Sequence, residues 1–295
     1  MLKKFFLPML VIATTLQLSC SNIFKAAATK TSDEAILEDA IKALDALDYT
    51  TSITNFNALS ANFKAKPAVI EQWAGAYAGK CGLDFVTYFT NLGSASLTGS
   101  TLFRYFMNAF KQVSIDPNSC RLAELKMNEI STDPTVRTAS QNLFMMILGM
   151  VKIGTYLRYE GDRDSTGSLG DGTMDATFNA CTVSATDLPG NPPTVGQFSD
   201  ADIKQIVTGL GQLLLNFAAV GSSFLGSGAS SSLSTLTTAC ALLTPNPCNV
   251  TDTNNVTAGM VTQMRQLIHT APTNPFLALG IGTCTALDVT TCCPL

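Results

Sequence analysis

Apolar residues along the chain fall mostly in blocks with helical spacing, and alternating apolar and polar runs that would predict strands are few. Thr31-Ser32-Asp33-Glu34 offers a capping box, after which Ala35, Ile36, Ala40, Ile41, Ala43, Leu44 and Leu47 keep the helical period until Asp48-Tyr49 breaks it. A second helix is expected over 51–63, with Ile53, Phe56, Leu59 and Phe63 on one face. Pro67 suits the opening of a third, which sets Trp73 and Tyr77 one turn apart and closes at Gly79-Lys80-Cys81-Gly82. Further helices are expected over 100–113, over the short, charged 120–130, and over the long 134–159. The methionine-rich run at 143–151 in the last of these, which Lys152 cuts short, reads as adaptable core filler.

In the carboxy-terminal half, Phe198-Ser199-Asp200 caps a helix, and no charged residue stands between Gln205 and Thr251. Residues 206–225 have about the length of a membrane span. Lys204, Thr208, Gln212 and Asn216 nevertheless repeat every four residues, a polar stripe that suits a helix packed on a protein core. The expected fold is all-α: helical hairpins in an irregular solenoid or bundle, with long disulfide-bearing loops.

The first residues alter that picture. Lys3 and Lys4 precede a short apolar stretch, and the segment ends in Leu16-Gln17-Leu18-Ser19-Cys20, the layout of a secretory signal over 1–19. The ending resembles the lipobox of bacterial lipoproteins, although Gln17 holds the place where that box usually has Leu. The resemblance implies that Cys20 is lipidated, palmitate included, and that 20–30 is a tether; Ser21, not Asp, favours the outer membrane. The periplasmic or surface face of that membrane stays open.

Composition fits export. Charged residues make up 14% of the chain, below the roughly 25% of soluble domains. Loss of two Lys with the signal changes the formal charge from -4 to -6, and without a basic run nucleic acid is excluded as a partner. Of nine cysteines, Cys20 is set aside, leaving Cys81, Cys120, Cys181, Cys240, Cys248, Cys284, Cys292 and Cys293 as disulfide candidates in an oxidising compartment. About 105 pairings are open. Cys240 and Cys248 flank a loop short enough to close, and Cys292-Cys293 would most simply pin the tail to two different elements. Without a C-x-x-C pair and with a single His, neither a zinc cluster nor a redox dithiol is supported.

The order of helix, Asp-Tyr turn, helix, Pro, aromatic helix and Gly turn resembles the tetratricopeptide helical hairpin, with Asp48, Tyr49, Ser52, Phe56 and Pro67 near its key positions. That likeness covers about 31–95 and no regular 34-residue period follows. It implies a partner-binding groove with Trp73 and Tyr77 as its candidate surface. Organisation is expected as a helical block over 31–159, an Asp/Gly/Pro-rich loop over 160–198, and a second helical block over 199–295 packed on the first.

The loop carries the one metal motif. Asp162, Asp164, Thr166, Gly167 and Ser168 match the early positions of an EF-hand-like calcium loop, but Thr173 stands where the closing Glu belongs, and Asp171 or Asp175 would substitute only in a different fold of the loop. A solvated linker is the favoured reading, and no other cofactor is expected.

Catalytic motifs are near misses. Gly75-Ala76-Tyr77-Ala78-Gly79-Lys80 is one residue short of a phosphate loop, and neither Gly209-Leu210-Gly211 nor Gly280-Ile281-Gly282 completes a dinucleotide fingerprint. His269 stands alone. The expectation is therefore an envelope lipoprotein, not an enzyme, serving as a helical scaffold for another envelope protein or peptide. The alternative is a small-ligand-binding accessory component of a transport system.

Overall fold

The computed structural model describes residues 31–94, 101–162, 170–172, 174–182, 197–220, 236–238, 240–241, 243–271, 279–286, 288 and 291–293. Ten α-helices and no strand occur among them, so the all-α expectation holds. The chain divides into two compact units after Ala65, a boundary the hydrophobic pattern did not mark.

The first unit contains α1 (Asp33–Asp45), α2 (Tyr49–Ala58) and the single turn α3 (Ala61–Lys64). Ser32, one residue beyond the expected cap, starts α1 by accepting the Ala35 N–H at 3.3 Å. Leu47 adopts φ +60° to reverse the chain, and Asp48 then caps α2 from the Thr51 N–H at 3.1 Å. The helix expected over 51–63 breaks because Asp33 accepts both the Ser60 N–H at 2.7 Å and its hydroxyl at 2.5 Å, where the backbone is extended. Inside the hairpin, the buried Ser52 hydroxyl donates to the Ala40 carbonyl at 2.9 Å.

The second unit begins with α4 (Pro67–Cys81), then α5 (Phe85–Ser94), α6 (Leu102–Asn108), α7 (Pro117–Ile130), α8 (Ala139–Gly161), α9 (Asp200–Val220) and α10 (Ala258–His269). Pro67 at the first turn and Gly82 at φ +116° bound α4, and a Cβ at Gly82 would press on Ile115 at 3.0 Å. Disulfide Cys81–Cys120 joins α4 to α7. The centre of the unit is α8, started by a full capping box between Thr138 and Gln141 and packed against α6, α7 and α9. Met145, Met146, Val151, Ile153 and Leu157 of α8 meet Ile206, Val207, Leu210 and Leu213 of α9 in the shared core.

Glycines permit the close approach of these helices. A Cβ at Gly149 would lie 2.7 Å from the Gly209 carbonyl oxygen, and one at Gly154 would strike the Phe106 carbonyl of α6. By length and composition α9 is the one described helix able to cross a membrane, yet it packs along α8. Its start is a reciprocal cap: Ser199 N–H donates to Asp202 at 3.0 Å while the Asp202 N–H donates to the Ser199 hydroxyl at 3.1 Å.

Among the described residues beyond 241, regular structure thins to two single-turn 3-10 helices, Pro247–Asn249 and Thr253–Asn255, and α10. Residues 279–284 return along the end of α10, with Ile281 N–H on the Ile268 carbonyl at 2.9 Å and Ala271 N–H on the Cys284 carbonyl at 2.7 Å. Gly280 and Gly282 make that contact possible, since a Cβ on either would enter the backbone of Thr270 or His269. Disulfides Cys240–Cys248, Cys284–Cys292 and Cys181–Cys293 fasten the region; adjacent Cys292 and Cys293 have different partners, Cys284 eight residues back in the tail itself and Cys181 far upstream. Buried Arg265 donates to the carbonyls of Ala180 and Phe198 at 2.9 Å each and pairs with Asp200 at 2.9 Å, tying α10 to Ala180 and to the start of α9.

Candidate functional site

Three helices and one loop enclose a cavity of about 510 Å³ within the second unit. From α7 come Arg121, Glu124, Leu125 and Asn128, spaced so that one helical face looks inward. From α9 come Gln205, Thr208 and Gln212, again at helical spacing, and from α8 comes Lys152. Besides Thr132, the remaining wall is the 251–254 segment. Its position depends on Gly211, where a Cβ would collide with the Val250 carbonyl, and on Cys240–Cys248, which ties the neighbouring turn.

The deepest groups are charged. Lys152 is 1% exposed and Glu124 6%, and the Lys152 ammonium is ion-paired with Glu124 Oε2. A second ammonium proton goes to Thr208 Oγ1 at 2.7 Å, and the Thr208 hydroxyl donates in turn to the Gln205 carbonyl at 3.2 Å. Gln212 Nε2 donates to Glu124 Oε1 at 3.2 Å, while Asn216 Nδ2 donates to Gln212 Oε1 at 3.0 Å and so orients that amide. Polar residues of the α9 stripe thus face inward, onto an ion pair contributed by two other helices. Burial holds the Lys152 pKa below the ordinary lysine value, with the Glu124 carboxylate opposing the shift.

The pair does not exhaust the cavity's hydrogen bonding. Asn128 Oδ1 and Gln205 Oε1 are buried without a donor among the described residues. At the mouth, Arg121 spends its Nε–H on Asn118 at 3.0 Å, and Asp252 Oδ1 accepts the Asn254 N–H at 2.8 Å. Neither Arg121 nor Asp252 forms an ion pair among the described residues. Leu125 is the sole hydrophobic side chain in the lining. The arrangement can therefore hold a polar molecule through both donors and acceptors. With no His, Cys or Ser in the lining, its nucleophiles are threonine hydroxyls and the paired Lys152 amine.

The residues singled out from sequence lie elsewhere. Cys20 is outside the described residues. Trp73 is 4% exposed, stacked on Tyr77 at 6.4 Å and covered by the Lys126 ammonium at 3.8 Å from the ring centroid. Its ring therefore serves internal packing, a correction to the expected partner surface. Among the candidate calcium ligands, Asp164, Thr166 and Ser168 lie outside the described residues. The Asp162 carboxylate is buried and accepts the N–H groups of Asp171 at 2.9 Å and Gly172 at 2.8 Å, which makes it the organiser of its own loop. Desolvation, against those two hydrogen bonds, raises its pKa. Asp171 and Asp175 are not gathered with it into a metal-sized cluster, and no group of three His, Cys, Asp or Glu able to hold a metal ion is found among the described residues.

Sequence reading missed the cavity because its signals were split. Lys152 was visible as a charge inside an apolar run, and Arg121, Glu124 and Asn128 as a polar helical face, but nothing local says that these meet the stripe on α9. Compared with family models, curated proteins and solved structures, the chain matches none.

Proposed function

We propose that the protein is an exported, lipid-anchored and non-catalytic binding protein that holds a small polar ligand in the cavity among α7, α8 and α9. The carrying observation is the Glu124–Lys152 pair buried at a cavity lined mainly by Thr, Asn and Gln side chains. Desolvating two charges costs several kcal/mol per ion, roughly, and an apolar replacement of equal volume serves stability as well or better. A ligand that needs the pair's hydrogen bonds gives the chain a reason to keep it. The lipobox-like 16–20 segment supports attachment at Cys20, and Ser21 favours the outer membrane.

Purification of the mature protein from membranes, followed by denaturation and mass spectrometry of the released small molecules, tests the reading. About one equivalent of a polar compound per chain is expected. A helical scaffold for an envelope protein or peptide is the second reading, favoured by Phe85 and Val86, which stand exposed at the start of α5. Stoichiometric co-elution of a protein with no released small molecule would establish that reading instead. For the anchor, a Cys20→Ser variant is expected to leave the detergent phase, and its retention there would refute lipidation.

A further inference from the structure

We infer that the cavity's ligand is a zwitterion of amino-acid size with a polar, hydrogen-bond-donating side chain. The inference rests on reading this cavity as a ligand site and adds the charge pattern of its walls. The deep pair is internally neutral, because Lys152 and Glu124 answer one another. The remaining formal charges in the lining are Arg121 on α7 and Asp252 on the loop, one of each sign and neither in an ion pair among the described residues.

A ligand with a single charge would meet one of these two groups and leave the other without a counter-charge. A zwitterion answers both: its carboxylate takes the outer N–H groups of Arg121, which the Nε bond to Asn118 leaves available, and its ammonium takes Asp252. The volume, about 510 Å³, lies within the range of small-molecule pockets and leaves room for a side chain beyond the α-carbon groups. Chemistry further in selects that side chain. Apart from the four charged residues, the lining is Thr, Asn and Gln with Leu125 as its one hydrophobic side chain, so a ligand side chain that both donates and accepts hydrogen bonds is matched there. Lys152 has three ammonium protons, of which Glu124 and Thr208 take two, so a donor remains for a ligand oxygen. A carboxamide carries both kinds of group, whereas an aliphatic side chain would find only Leu125.

The test is calorimetry on the mature, disulfide-intact protein with four probes: L-glutamine, N-acetyl-L-glutamine, L-glutaminamide and L-leucine. L-glutamine is expected to bind. Loss of the ammonium in the acetyl compound, or of the carboxylate in the amide, should each weaken binding about 10- to 100-fold, the range of one charge-assisted contact. L-leucine should bind more weakly than L-glutamine. Arg121→Ala should erase the preference over L-glutaminamide, and Asp252→Asn the preference over N-acetyl-L-glutamine, while circular dichroism shows both variants folded. Equal binding of the derivatives, or no binding of L-glutamine, overturns the inference. The small molecule released on denaturation separates the two claims: a singly charged or neutral compound there removes the zwitterion and leaves the ligand cavity standing, and an empty extract removes both.

Discussion

Helices α8 and α9 contain no cysteine, and they hold together through wide apolar faces, a glycine crossing and a buried ion-pair network. Among the described residues from Cys240 to Cys293, the one α-helix with given bounds has 12 residues, and three of the four disulfides end in this region. Where the chain supplies long helices with apolar faces, packing suffices. Where it supplies short turns rich in Thr, Asn and Pro, too little apolar area is buried to offset the entropy of ordering the backbone, and crosslinks restrict the unfolded chain instead. The cavity lies where these two regimes meet: its deep charges belong to the helices, and its outer wall is a loop beside Cys240–Cys248.

Removing crosslinks should therefore divide the molecule. Loss of Cys181–Cys293, which spans 112 residues, is expected to cost about 5 kcal/mol on chain-entropy grounds, against about 2.5 for the eight-residue Cys240–Cys248 loop. Hydrogen exchange of a Cys181→Ser/Cys293→Ser variant should show lost protection in 240–293 with α8 and α9 still protected. Simultaneous loss in both would show that the helices depend on the tail and break the comparison.

Single charge deletions strike the other side. Glu124→Gln or Lys152→Met alone should destabilise by about 3 to 5 kcal/mol, because each leaves a buried partner charge uncompensated. Denaturant unfolding monitored by circular dichroism reads this, and a change near zero would mean that water reaches the pair.

Two glycines on nearly opposite sides of α9 sharpen the contrast. Gly209→Ala pushes into α8, with Ile153 at 3.1 Å and the Gly149 carbonyl at 3.2 Å, and should cost about 1 to 3 kcal/mol in stability. Gly211→Ala instead drives its Cβ to 2.1 Å from the Val250 carbonyl oxygen, so it should displace the loop, cost at least as much stability and also lower ligand binding, which Gly209→Ala should spare. Similar effects of the two substitutions on binding would deny the loop its role.

The smallest effect belongs to His269, the only histidine. Burial lowers its pKa below the usual value near 6.5. Its neutral form is thus favoured by folding, so stability is full above about pH 6.5 and declines as the unfolded chain takes up the proton between 6.5 and the lower folded value. Proton NMR of the lone imidazole should give a folded pKa under 6.5, and His269→Gln should flatten stability across that window. A titration at or above 6.5 would contradict this.

Much of the fold was legible because helix starts are local. Pro67 and Ser199, two helix starts read from sequence, act within three residues of their own position, whereas the Thr138 cap was not read and its helix opens at Ala139 instead of 134; apolar spacing between such signals suffices for an all-α chain. The short closure of Cys240–Cys248 was legible for the same reason, and the Cys181–Cys293 pairing, 112 residues apart, was not. Long-range partners were not. Lys152 stood out, but its carboxylate is 28 positions away and its hydroxyl partner 56. The two G-x-G triplets, incomplete as dinucleotide fingerprints, serve close backbone approaches whose partners the sequence does not name. The Trp73–Tyr77 pair has the right spacing for a surface stripe, and only the covering Lys126 and the surrounding helices turn it inward.

The central claim is that the buried pair is kept for a ligand and not for stability. Lys152→Met combined with Glu124→Gln removes both charges, keeps an acceptor for Gln212 and roughly preserves volume. Thermal midpoint and small-molecule retention, measured together on this double variant, test the claim most directly. The account predicts a midpoint equal to or above that of the parent and a protein that no longer carries its ligand. A midpoint lowered by several degrees, with the ligand still bound, would contradict it.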